Sequence, residues 1–208
     1  MADPAYEAIT KAKNQRDSGN FLGAMDTLEN YLLGDRYNTK VRLVLAEMAF
    51  KGNRKDYGMI QLEVILDIEP DNLDALKAMV TVLKQDKKTI KEAKKYYDHL
   101  VDVCPNEPDI LNSYGVFCKY QLVDYDLAET YYKKAIDIDD RNADYHLNYA
   151  ILLVNDLKRY TDGKFELERA IELDPHNQRA KDAYKRLIDK KFKNGKEKKS
   201  LFPSFKRK

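Results

Sequence analysis

The sequence predicts an all-α protein, an α-α superhelix of about five helix-turn-helix repeats closed by one further helix. Three observations predict it. A period of 35 residues runs through most of the chain, and alanine and tyrosine recur on stripes spaced three and four residues apart. Only 8 Gly and 6 Pro occur among 208 residues, which leaves little material for the turns of an all-β protein.

The period is read from four segments, 66–72, 101–107, 136–142 and 171–177. They align on Pro70, Pro105, Asp140 and Pro175, each 35 residues after the last, and Arg36 fits the same column 34 residues before Pro70. The repeats are therefore 5–38, 39–72, 73–107, 108–142 and 143–177. In each, the second helix is the clearer: Ala128, Tyr132 and Ala135 make one helical stripe, and Ala93, Tyr97 and Leu100 repeat it. Proline then stops the helix because it cannot extend the hydrogen-bond ladder, with Asp140 standing in its column once. The first helix opens after Asn38, Asn72, Glu107, Asn142 or Asn177, and asparagine is a strong capping residue. Asp74, Asp109 and Asp144 follow in the first turn, where a carboxylate meets the positive end of the helix. The extra residue of the 35-residue repeats is expected in the turn between helices, as in Lys84-Gln85-Asp86-Lys87-Lys88.

Residues 178–191 carry one more apolar stripe, Ala180, Ala183, Tyr184, Leu187 and Ile188, backed by Arg179, Lys181, Asp182, Lys185, Arg186 and Asp189. A stack of hairpins needs such a helix, apolar towards the last repeat and polar towards water.

These residues resemble the tetratricopeptide repeat family. Its pattern is Leu-Gly-x₂-Tyr-like in the first helix, then a small residue, an aromatic, a second small residue and Pro in the second. Repeat 108–142 supplies Leu111, Tyr114, Gly115 and Cys118, then Tyr125, Ala128, Tyr132, Ala135 and Asp140; repeat 143–177 supplies His146, Tyr149, Ala150 and Leu153, then Tyr160, Gly163, Leu167, Ala170 and Pro175. Gly19-Asn20-Phe21-Leu22-Gly23-Ala24 keeps the turn signature in the first repeat. Physically, small residues let helices approach closely while tyrosines fill the space between them. The resemblance implies a right-handed solenoid over residues 1–191, while composition, with Gly195 and Pro203 and no sustained period, predicts a flexible basic tail over 192–208.

Charge is nearly balanced, Lys+Arg 37 against Asp+Glu 35, so net charge alone points to no partner. It is unevenly placed. Nine basic residues, Lys190, Lys191, Lys193, Lys196, Lys198, Lys199, Lys206, Arg207 and Lys208, crowd the last twenty positions against Asp189 and Glu197. The rest of the chain is net acidic. No run approaches 18 uninterrupted apolar residues, the start lacks a secretory pattern, and Cys104 and Cys118 suit a reducing compartment. A cytoplasmic location is expected.

Catalysis and cofactors find no foothold. His99, His146 and His176 fall at unrelated repeat positions, neither cysteine has a neighbouring base, and Gly163-Lys164 lacks the rest of a phosphate-binding loop. The expected role is that of a non-enzymatic scaffold or adaptor. The resemblance implies that first helices line a concave groove that takes an extended peptide or helix of another protein. The groove-facing positions it implies are Asn112, Val116, Lys119, Tyr120, Asn148, Ile151, Asn155, Arg179 and Arg186. A chaperone carboxylate clamp of this family is matched at Asn148 and Arg179 but not at Asn112, Val116 or Ala183. Two further expectations are self-association and an alternative role at nucleic acid or an anionic membrane, through the tail with its Phe192, Leu201, Phe202 and Phe205.

Overall fold

Side-chain capping marks where most of the helices begin. In the computed structural model, which describes residues 3–193, 196 and 197, Asn38, Asn72, Asn142 and Asn177 each accept a backbone N–H from the first turn of a helix. Asn20 and Asp124 do the same for second helices, with oxygen-to-nitrogen distances of 2.9 and 3.0 Å. Glu107 makes no such bond; there Pro108, at the first helical position, starts the helix without an N–H to satisfy.

The chain forms two compact units, Met1–Val103 and Cys104–Lys208. The first holds six α-helices: α1 (Pro4–Asp17), α2 (Phe21–Leu32), α3 (Thr39–Lys51), α4 (Lys55–Ile68), α5 (Leu73–Leu83) and α6 (Ile90–Val103). Each packs on the next, and α1 also touches α3. Between them lies a core of Ala12, Ala24, Leu28, Val41, Leu45 and Met48, all essentially without solvent contact.

The second unit holds α7 (Pro108–Phe117), α8 (Tyr125–Ile138), α9 (Ala143–Asn155), α10 (Tyr160–Leu173) and α11 (Gln178–Lys191). Here too each helix packs on the next, while α9 touches both α7 and α11. Gly115 of α7 faces the Tyr132 ring of α8 so closely that a β-carbon there would lie 2.8 Å from it. The sequence reading of Gly115 as a close-approach position is thus explained by one specific ring.

The turns inside the hairpins differ. Gly19 and Asn53 take positive φ, +80° and 59°, in the first two repeats. In the third the chain makes a 3-10 turn at Lys87–Thr89; in the fourth it widens into a π turn, Cys118–Leu122, ending on Val123 with φ 56°. The fifth uses Lys158 at φ 59°. The extra residue of the longer repeats is absorbed in a different way each time.

One expectation needs correction. Phe192, assigned by the sequence reading to a flexible tail, is 7% exposed and belongs to the core of Leu147, Leu167, Ala170, Ala180 and Leu187. The reason is direct: α11 leaves an apolar edge that Phe192 completes. Beyond it, two-residue strands β1 (Phe192–Lys193) and β2 (Lys196–Glu197) pair antiparallel, Phe192 opposite Glu197. Lys198, Lys199, Leu201, Phe202, Phe205, Lys206, Arg207 and Lys208 lie outside the described residues.

Candidate functional site

An open groove of about 570 Å³ runs between α9 and α11 in the second unit. Ala150, Ile151 and Val154 of α9 line one side, Ala183 and Leu187 of α11 the other, and Leu167 of α10 contributes from between them. These positions recur three and four residues apart because one face of each helix looks into the groove. Polar groups ring it: Asn155, Lys158, Arg179, Asp182, Arg186, Lys190 and Lys191.

Of the nine positions implied for a groove, four line this one: Ile151, Asn155, Arg179 and Arg186. Two others are spent on each other, since Asn148 Nδ2 donates to Asn112 Oδ1 at 3.1 Å. Val116 is half-buried and Tyr120 is exposed. Lys119 is turned inward; it is 6% exposed and its ammonium lies 2.9 Å from Asp156 of the turn after α9. It also stands over the Tyr120 ring, 3.9 Å from its centre. Of the basic residues near the C-terminus, Lys190 and Lys191 line the groove, whereas Lys193 and Lys196 sit in the short ladder.

The groove is braced by polar contacts on α8, α9 and α10. Glu129 accepts hydrogen bonds from Tyr149 and Arg159, both at 2.7 Å, and pairs with Lys133. Burial alone would raise this carboxyl, but the bonds from Lys133, Tyr149 and Arg159 outweigh it and hold its pKa at about 2. On α9, His146 bridges Glu166 at 2.7 Å and the Asp140 carbonyl at 3.0 Å. Burial opposes its charge, yet those two partners push the imidazole above its ordinary value. Both groups stiffen the packing and neither reaches the groove lining.

Sequence reasoning missed a second groove. In the first unit, about 440 Å³ is lined by Leu43, Val44, Glu47, Phe50, Asp74 and Ala78, among others. Leu43, Glu47 and Phe50 hold in α3 the repeat positions that Asn112, Val116 and Lys119 hold in the fourth repeat, so carrying the pattern back would have found them. Lys158, Tyr160 and Asp182 were missed in the α9–α11 groove because they lie in a turn, at a helix start and on the flank of α11.

Among the described residues no three His, Cys, Asp or Glu side chains are grouped to hold a metal ion, and no helix is long and apolar enough to cross a membrane.

An all-α chain of helical hairpins, each packed on the next within its unit, belongs to the class of helical-repeat proteins. Residues 109–142 match the family model for the tetratricopeptide repeat. A tetratricopeptide repeat protein from Parabacteroides merdae is 17% identical with a TM-score of 0.75, over 90% of this chain and 73% of that one. MamA from Desulfovibrio magneticus is 16% identical with a TM-score of 0.66, over 86% and 99%. YrrB, described as a tetratricopeptide protein with an unusual peptide-binding site, is 18% identical with a TM-score of 0.67, over 86% and 90%. No curated protein matches the chain by sequence. One repeat thus matches the tetratricopeptide repeat model, and the fold is the one these tetratricopeptide repeat structures share.

Proposed function

We propose that the chain is a non-enzymatic interaction module that holds a polypeptide of another protein in the groove between α9 and α11. The observation that carries this reading is the groove itself. It is about 570 Å³, open to solvent, and has an apolar floor of Ile151, Val154 and Ala183 within reach of polar groups on its rim. That combination suits a peptide or helix: apolar side chains gain from leaving water, while Asn155 and the arginines satisfy backbone or carboxylate oxygens at the edge. The fold is in keeping with it, since tetratricopeptide repeats generally serve protein association, and YrrB is described by its peptide-binding site.

The test is capture from lysate by three forms of the chain: the full sequence, Ala183→Trp, and a chain shortened after Glu197. The indole fills the groove while leaving the outer face of α11 unchanged. The expected result is that Ala183→Trp loses specific proteins that the other two retain. Retention by Ala183→Trp, with loss on shortening, moves the activity to the tail and refutes the groove reading.

A further inference from the structure

The charges around the α9–α11 groove are one-sided. Lys158, Arg179, Arg186, Lys190 and Lys191 stand on its rim against a single carboxylate, Asp182. None of the five basic groups makes an ion pair among the described residues. Several other cations of this unit are matched: Lys119 with Asp156, Lys133 with Glu129, Arg159 with Glu129 and Asp162, Lys164 with Glu168. Five cations and one carboxylate therefore face a single groove.

Local contacts hold several of them without neutralising them. Lys158 donates to the Asn155 carbonyl, Arg186 Nε donates to the Asp182 carbonyl at 3.2 Å, and the Lys191 ammonium sits over the Tyr160 ring, 4.5 Å from its centre. Asp182 itself accepts from Gln178 at 2.8 Å. Among the described residues, no hydrogen bond or ion pair engages the terminal nitrogens of Arg186, the Arg179 guanidinium or the Lys190 ammonium.

We infer that this groove selects an acidic segment of a partner protein, with glutamate or aspartate placed between apolar residues. The inference rests on the interaction reading above and names the chemistry of its occupant. Apolar side chains settle against Ile151, Val154 and Leu187, while carboxylates meet Arg179 and Arg186, whose planar guanidinium groups can each take a carboxylate through two parallel bonds. A concave surface with apolar walls also concentrates the field of its charges, which raises the rate of encounter with an anionic segment. Nucleic acid is disfavoured as the occupant, because the floor of the groove is aliphatic and only Tyr160 offers a ring on which a base could stack.

The experiment uses the full chain and two fluorescein-labelled peptides that share their leucines, one carrying glutamate and the other glutamine between them. Fluorescence anisotropy is followed with wild type, with Arg179→Glu/Arg186→Glu, and with Lys181→Glu/Lys185→Glu. The last pair makes the same charge change on α11 outside the groove lining. The expected result is that the glutamate peptide binds at least about tenfold more tightly than the glutamine peptide, and that this preference weakens as salt rises. It is lost in the arginine variant and kept within about twofold in the lysine variant. Equal binding of the two peptides to wild type overturns the acidic preference and leaves the groove reading standing. An equal loss in both variants shows only a diffuse field and overturns the inference. So does failure of the glutamate peptide to bind, or a labelled single-stranded oligonucleotide that binds more tightly than that peptide and depends on the same arginines. Ala183→Trp run beside them separates the two readings, because unaltered peptide binding there refutes the groove itself.

Discussion

The ammonium of Lys119 lies 2.9 Å from Oδ2 of Asp156, joining the π turn after α7 to the turn after α9, with side chains only 6% and 17% exposed. The approach is a charge contact without hydrogen-bond alignment at that oxygen, and the cation also stands over the Tyr120 ring. Removing one member of a buried pair strands the other. Asp156→Ala is therefore expected to cost about 3 kcal/mol in urea unfolding, whereas Lys119→Met/Asp156→Leu recovers most of that loss. A double variant no better than Asp156→Ala would show that the pair is not the source of the effect.

The architecture was legible because it rests on periodic, local chemistry. Asparagine caps, alanine and tyrosine stripes and helix-stopping prolines each act over a few residues, and they repeat. Lys119 shows where that legibility ended. Its repeat position belongs to a groove face, but the π turn at Cys118–Leu122 rotates the chain and Asp156 draws the cation inward. Phe192 shows another limit, since its burial depends on the edge left open by α11 rather than on any period. The one-sided rim was half visible: Arg179, Arg186, Lys190 and Lys191 were singled out from sequence for separate reasons, and only the fold brings them together.

Gly115 and Tyr132 make a second test of packing. A β-carbon on Gly115 would fall 2.8 Å from the Tyr132 ring, and that ring is completely buried. Gly115→Ala is expected to destabilise by about 1–3 kcal/mol despite the better helix propensity of alanine, because the ring has no space to retreat into. Thermal or urea unfolding measures it; a stabilised Gly115→Ala would mean that α7 and α8 can separate without cost.

The Tyr132 hydroxyl has no hydrogen-bond partner among the described residues although it is buried. Burial pushes its phenol far above the ordinary value. An unsatisfied buried hydroxyl costs free energy that phenylalanine does not, so Tyr132→Phe is expected to hold or gain up to about 1 kcal/mol. A loss of more than about 1 kcal/mol in the same unfolding assay would reveal a partner for the hydroxyl.

Val123 occupies left-handed backbone at φ 56° while 60% exposed. A β-branched side chain there is strained by about 1–2 kcal/mol, and asparagine tolerates the region far better. Val123→Asn is expected to stabilise by about 0.5–1 kcal/mol, read as a higher urea midpoint with an unchanged slope. An unchanged midpoint would show that the π turn, rather than the side chain, sets the energy of this corner.

Glu129 and His146 give the unit opposite responses to pH. The Glu129 carboxyl has a depressed pKa, near 2 against an ordinary 4.5, so its stabilisation is complete above 4.5 and disappears as pH falls through that interval. His146 is raised above 6.5, so its contribution is complete below 6.5 and is lost as pH climbs through its higher folded value. Unfolding free energy should therefore fall at both ends. Glu129→Gln is expected to flatten the acid limb alone, and His146→Gln only the limb above 6.5. Urea titrations at a series of pH values distinguish the two, and a His146→Gln chain that still weakens as steeply above 6.5 would assign that limb to another group. The two limbs are separable because Glu129 ties α8 to the α9–α10 hairpin, whereas His146 joins α9 to Glu166 of α10 and to the carbonyl that follows α8.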